Sequence, residues 1–253
     1  MKLTAALLVR DGHLVNKYRF EKYLPIGRLD HTLSRLDEWQ IDEITILNPT
    51  HTSSIKQDLS NLLLNMRHVL NTTTPAAYGG GIGTKEDVDA VFSFGFERVV
   101  LSASSIIKNT RLLDYLRQKW GEQSAILHIP FFIENETIMV RVENNRTVNI
   151  EDVLDVLPNN FGGELLVTST RYEGSREIDK DGVQKLRNRF HGDLSLVYGG
   201  GVSTSHHVRY LHDRDFNGVA LGNILNTKEL VVPPMKSQLP FVRPYSTPWK
   251  GQV

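Results

Sequence analysis

Short apolar runs recur along the chain, and most are separated by amphipathic stretches long enough to form a helix. The runs are "LTAALLV" (3–9), "EITIL" (43–47), "PAAYG" (75–79), "RVVLS" (98–102), "SAILHI" (124–129), "ELLVTS" (164–169), "LSLVYG" (194–199) and "GVALG" (218–222). None alternates strictly between apolar and polar, as a half-solvated strand would. Near-continuous apolar runs of this length fit strands buried on both faces, the condition of a parallel sheet covered by helices. Between them, "SSIKQDLSNLLLNMRHVL" (53–70) and "TKEDVDAVFSFG" (84–95) carry helical periodicity. Eight β-then-α units in a chain of 253 residues predict an α/β fold, a closed (β/α)8 TIM barrel.

Two segments leave that rhythm. "FFIENETIMVRVENNRTVNI" (131–150) predicts a hairpin inserted after the fifth barrel strand, turning near Asn135 and Glu136. Residues 231–253 carry Pro233, Pro234, Pro240, Pro244 and Pro248, so the final barrel helix is expected to be absent or short. The expected organisation is one barrel over 1–230 followed by a Pro-rich extension over 231–253.

The chain also repeats itself. "YGGGIGTKEDV" begins at Tyr78 and "YGGGVSTSHHV" at Tyr198. In that register Thr84 matches Thr204, Val88 matches Val208, Phe96 matches Phe216, Val99 matches Val219 and Leu101 matches Leu221. Glu43 and Glu164 open the second and sixth strands at nearly the same spacing. Two related half-barrels of four βα units each are the simplest account.

Composition narrows the function classes. Lys+Arg and Asp+Glu both number 29, so no global charge draws the chain to nucleic acid or to an anionic membrane. Cysteine is absent, which excludes disulfides and thiolate metal sites and fits a cytoplasmic location. The opening "MKLTAALLVRDG" is too short an apolar run for a secretory signal and reads as the first strand. No run is long enough to span a membrane. No phosphate-binding P-loop and no GxSxG elbow is present, and no cofactor is expected.

The candidate chemistry gathers at strand ends. Each glycine run follows a strand and precedes a helix, where backbone N–H groups can approach an anion closely. Gly80, Gly81 and Ser102 form one expected phosphate site; Gly200, Gly201, Gly222 and Asn223 form the other. The competing reading, tight turns alone, is weakened by the symmetric duplication. With side chains alternating along a strand, Thr4, Ala6 and Leu8 are expected to face inward from the first strand, and Ile126, His128 and Pro130 from the fifth. His128 is thus the titratable group placed inside the barrel, a candidate proton shuttle or a packed histidine. Glu173, in "TRYEGSRE" after the sixth strand, is a second candidate. Asp11 is explained by its "RDG" turn. His206, His207 and His212 have poor spacing for a metal and read as solvated helix residues, so no metal site is expected. At the opposite ends, Lys2, Glu43, Arg98 and Glu164 can pair across the barrel floor, which by position alone favours a stabilising role.

The duplicated glycine runs, the half-barrel echo and the opening "LLVRDGHLVNKYRFEKY" together resemble the cyclase subunit of imidazole glycerol phosphate synthase, over nearly the whole chain except about the last 25 residues. That resemblance implies a barrel with two phosphate sites for a long bisphosphate ligand, receiving ammonia from a glutaminase docked at its lower end. The family's two catalytic aspartates fall at Leu8 and Pro130, so both carboxylates are missing. Its strand-two aspartate is Asn48, its strand-four Asn-Thr pair is Ser102 and Ala103, and the aspartates after strand six are Arg171 and Glu173. The ammonia gate falls on Lys2, Glu43, Arg98 and Glu164 with charge signs kept, and Glu97 matches a residue that contacts the glutaminase.

A top without its aspartates above an intact floor resembles second copies of this cyclase found with polysaccharide genes. These are implicated in turning acetamido groups of sugars into acetamidino groups, beside a second glutaminase and an N-acetyl-sugar amidotransferase. The leading expectation is therefore ammonia delivery for such synthesis, in the cytoplasm, with a glutaminase partner and a phosphorylated small molecule. The alternatives are an authentic cyclase of histidine biosynthesis, a non-catalytic barrel that activates a glutaminase, and a sugar-phosphate isomerase or lyase using His128 and Glu173.

Overall fold

The computed structural model describes residues 1–10, 12–18, 22–49, 54–66, 74–143, 146–158, 161–190 and 194–239. The Asp11 turn, the end of the helix predicted to residue 70 and the extension beyond residue 239 lie outside these. In chain order the elements are β1 (Lys2–Arg10), β2 (His13–Tyr18), β3 (Lys22–Arg28), α1 (Leu29–Glu38), β4 (Glu43–Leu47), α2 (Ile55–Met66), β5 (Ala76–Gly79), α3 (Lys85–Ser93), β6 (Arg98–Ser102), α4 (Ala103–Lys108) and α5 (Thr110–Trp120). They continue with β7 (Ala125–Glu134), β8 (Thr137–Arg141), β9 (Thr147–Asn149), α6 (Ile150–Leu154), β10 (Glu164–Ser169), α7 (Lys180–Arg189), β11 (Ser195–Gly199), α8 (Ser205–His212), β12 (Gly218–Leu221) and α9 (Val232–Lys236).

Eight parallel strands close a barrel in the order β1, β4, β5, β6, β7, β10, β11, β12, with β12 pairing back to β1 at Lys2 and Gly218. These are the eight expected strands. Leu3, Ala5, Leu7 and Val9 of β1 point outward into the layer between strands and helices. Ala77, Val100, Ile126, Leu166, Val197 and Ala220, with Ala6 and Leu47 against them, form a separate apolar layer inside the barrel. Period-two alternation thus builds two cores from the same strands. Among the described residues, no helix is long and apolar enough to cross a membrane.

The inserted hairpin is present: β7 and β8 turn at Asn135 and Glu136, both with positive φ. Beyond the expectation, β9 adds a third strand to it. The final helix is the five-residue α9, with prolines in its first turn, where a missing N–H costs nothing. The β2–β3 hairpin, which continues antiparallel from β1, escaped the sequence reading. Its outer strand exposes Leu24 and Ile26 and contains Pro25, so it shows neither alternation nor a buried run.

The half-barrels repeat a tyrosine–phenylalanine pair whose hydroxyl surroundings differ. Tyr78 packs on Phe96 with ring centroids 5.4 Å apart, and Tyr198 on Phe216 at 5.9 Å. The Tyr198 hydroxyl accepts the backbone N–H of Asp179 at 3.0 Å, and the Asp179 carboxylate accepts from Ser169 and from the Gly182 N–H. Tyr78, 1% exposed, faces Asn48, but its hydroxyl makes no hydrogen bond of normal geometry. Burial pushes its pKa up to about 12. Tyr198→Phe should therefore cost about 1–2 kcal/mol by stranding the Asp179 amide, whereas Tyr78→Phe should be neutral or slightly stabilising. Urea unfolding of the two variants checks the difference.

Candidate functional site

Lys2, Glu43, Arg98 and Glu164 are the first residues of β1, β4, β6 and β10, so the barrel brings them together at one end. Lys2 Nζ lies 3.0 Å from Glu43 Oε2 and 2.8 Å from Glu164 Oε2. Arg98 NH1 lies 2.7 Å from Glu43 Oε2 and 3.3 Å from Glu164 Oε1. The four charges form a closed ring with a net charge of zero. Both glutamates are buried, while Lys2 and Arg98 keep partial access to solvent. Arg98 Nε also donates to the Gln123 carbonyl, which fixes the guanidinium. Next to the ring, Thr4 pairs in register with Glu43, and its buried hydroxyl has no hydrogen-bond partner. Glu97 is exposed beside this face, and its carboxylate accepts the Ala76 N–H at 2.7 Å.

At the other end of the strands a cavity of about 450 Å³ opens. Its deepest walls are Ala6, Leu47, Val100, Leu166 and Ala220 of the inner apolar layer. The floor ring is not part of its lining, so the apolar layer and the closed ring separate the cavity from the floor. Leu8 and Pro130 line the cavity where the resemblance expects carboxylates.

Every expected phosphate residue, Gly80, Gly81, Ser102, Gly200, Gly201, Gly222 and Asn223, lines this one cavity, together with His128 and Glu173. Both glycine loops run into helices capped by threonine: Thr84 Oγ accepts from Asp87 N, and Thr204 Oγ from His207 N. The glycines are also structural. A Cβ on Gly80 would approach the Asn48 carbonyl to 2.5 Å, and one on Gly201 the Glu177 carbonyl to 1.7 Å. His128 Nε2 lies 3.2 Å from Thr168 Oγ1 on the neighbouring strand, an inward and hydrogen-bonded histidine. Glu173 faces the β2–β3 hairpin: after burial, its charge is the next cause holding the Tyr23 hydroxyl above its ordinary pKa, against the lowering effect of Arg10.

No group of three or more potential metal-binding side chains occurs among the described residues. His207 corrects the expectation of a solvated helix residue. It is half-buried, and its Nδ1 accepts the Ser203 N–H at 3.3 Å. Burial is the main cause holding its pKa below the ordinary 6.5, with Lys180 and His206 adding to the shift and Glu177 opposing it. A folded-state value below the unfolded one means that this contribution to stability is complete above pH 6.5 and is lost as pH falls through the lowered value. His207→Gln should remove that part of the acid sensitivity, as measured by Tm across pH 5 to 8.

Arg176 also lines the cavity, and nothing in its local sequence marks it. It sits three residues beyond Glu173 in the same loop, with φ of 66°. The equivalence of Asp87 and His207 in the repeat, by contrast, was there to be read.

A closed α/β barrel with a ligand-sized cavity at the C-terminal ends of its strands is the arrangement of the barrel proteins that act on small molecules. Residues 2–231 match the histidine biosynthesis protein family, and the chain belongs to that family. It is similar to imidazole glycerol phosphate synthase subunit HisF from Cytophaga hutchinsonii, with 27% identity over 251 residues covering 94% of this chain and 95% of the relative. The subunit of the same name from Staphylococcus epidermidis is 23% identical over 94% of this chain and 95% of its own length. That from Staphylococcus aureus strain JH9 is 24% identical over 93% and 94%.

Proposed function

We propose that this chain is the ammonia-receiving barrel of a glutamine-dependent complex and no longer performs the histidine-pathway ring closure. A glutaminase docks at the floor, with Glu97 among its contacts. The ring of Lys2, Glu43, Arg98 and Glu164, and the inner apolar layer above it, part to admit ammonia along a dry route past the small residues Thr4 and Ala6. Water exclusion matters because ammonia must stay neutral to act as a nucleophile. Above, the glycine-lined cavity takes a phosphorylated small molecule, with His128 and Glu173 as the titratable groups that face it. The nitrogen serves acetamidino-sugar synthesis for a surface polysaccharide, in the cytoplasm, with an N-acetyl-sugar amidotransferase as a further partner.

The observation that carries this reading is the contrast between the two ends. The floor keeps a complete four-charge ring, while Leu8 and Pro130 stand where the cyclase needs acid and base. A second reading, the cyclase subunit itself, is favoured by the names of the curated relatives along nearly their whole length. The two separate cleanly in one experiment. Purified chain is given ammonia and the bisphosphate substrate of the cyclase, and in parallel is mixed with its glutaminase and amide-labelled glutamine. The proposal expects glutamine hydrolysis that depends on this chain and no ring closure. Turnover of the bisphosphate establishes the cyclase instead, and no turnover together with a glutaminase indifferent to this chain removes both.

A further inference from the structure

The two glycine loops are equivalent in sequence, but the charges around them are not. Behind the first loop, the Asp87 carboxylate accepts the N–H groups of Gly83 at 3.1 Å and Thr84 at 2.9 Å. A carboxylate therefore sits just behind the Gly80–Gly81 stretch that lines the cavity. The nearby hydroxyls are engaged as well. Ser102 Oγ accepts the Ser105 N–H and contacts Ser105 Oγ at 2.9 Å, and Ser104 Oγ accepts the Glu143 N–H. Among the described residues lining the cavity, none on this side is cationic.

Behind the second loop the residue equivalent to Asp87 is His207, whose uncharged ring accepts the Ser203 N–H. Lys228 Nζ donates to the Ser203 carbonyl at 3.2 Å. Arg176 lines the cavity here, and its own carbonyl accepts from Ser203 Oγ at 2.7 Å, so loop and arginine are tied together. Its guanidinium has no ion pair among the described residues and is exposed, and the backbone that presents it is held at a φ of 66°, uncommon for a residue with a side chain. Glu173 in the same loop faces Tyr23 of the hairpin.

We infer that the cavity takes a ligand with a single phosphoryl group, seated at the second glycine loop against Arg176, with a neutral, hydroxyl-bearing end toward Ser102 and His128. A planar guanidinium can meet two phosphoryl oxygens at once, and the loop amides can meet others. At the first loop a second dianion would have Asp87 behind it and no cationic side chain among the described residues that line that side. The inference rests on the proposed phosphorylated ligand and makes the cavity selective for monophosphates over bisphosphates.

Inorganic phosphate titrated into the isolated full-length chain tests it, followed by calorimetry and by amide chemical shifts. One equivalent is expected, with shifts at Gly201 and Ser203 and none at Gly81 and Ser102. Arg176→Gln should weaken binding at least roughly tenfold, and Arg176→Lys should recover part of it. Asp87→Asn, which keeps the shape of the helix cap, should strengthen phosphate at the first loop. Two equivalents of similar affinity, shifts centred on Gly81, no binding at all, or an Arg176→Gln variant that binds normally would each overturn it. No glutaminase is present in this titration. Its failure therefore leaves the proposed ammonia transfer standing, and failure of that transfer leaves this result readable.

Discussion

Glu43→Gln should lower stability by about 3 kcal/mol, a fall in Tm of roughly 6–12 °C for a chain of this size, read by calorimetry. Glu43 Oε2 accepts from both Lys2 and Arg98, and the residue is 5% exposed. An amide of the same shape keeps the packing and removes the charge. Glu164 is then left to balance two cations, and Arg98 cannot turn fully to water because it is also held by the Gln123 carbonyl. Removing one member of a buried ionic group costs far more than removing a surface pair, since the charges left behind lose their compensation. The exposed Arg209–Asp213 pair is the control: Asp213→Asn should change stability by less than about 0.5 kcal/mol. The same Glu43→Gln variant should lose glutamine hydrolysis coupled to this chain if the ring is the ammonia gate. A fully stable Glu43→Gln protein would show that the four charges are loosely held and would weaken the gate proposal with it.

Gly201→Ala should be the most damaging single methyl addition at the cavity, costing at least about 3 kcal/mol and abolishing phosphate binding at the second loop. The backbone at Gly201 has φ of 74°, and an added Cβ would fall 1.7 Å from the Glu177 carbonyl and 2.8 Å from the Tyr172 carbonyl. Both obstacles are backbone, so no side-chain rotation relieves them. The loop carrying Glu173 and Arg176 would have to lift away from the second glycine loop. Gly83→Ala is the matched control, with no heavy atom within 4 Å and no positive φ. It should shift stability by no more than about 0.5 kcal/mol. Urea unfolding of both variants, with phosphate titration of each, decides the matter.

The elements that sequence predicted well are those whose burial is complete. Eight apolar runs became the eight barrel strands, because a strand covered on both faces has no choice of residue class at either parity. The elements that escaped, the β2–β3 hairpin and the short β9, are not covered on both faces: β2 buries Leu14 and Val15, but Leu24, Pro25 and Ile26 of β3 are exposed and satisfy no packing rule that can be read in advance. The site divides in the same way. Gly80, Gly81, Gly200 and Gly201 advertised themselves by composition and spacing. Arg176 did not, since one arginine in a loop with several charged neighbours carries no local signal of where its side chain faces.

The sequence by itself determined the strand count, the half-barrel duplication, the uncharged residues Leu8 and Pro130 near the upper strand ends, and the four charged positions at the strand starts. All of these follow from residue type and period along a line. Tertiary structure alone decided that those four charges close into one ring, that the cavity stops at the inner apolar layer above them, and that the two glycine loops differ in electrostatic character. These are relations between residues far apart in the chain. Charge acts through space over a few ångströms, and only the closure of the barrel sets which groups lie within that distance.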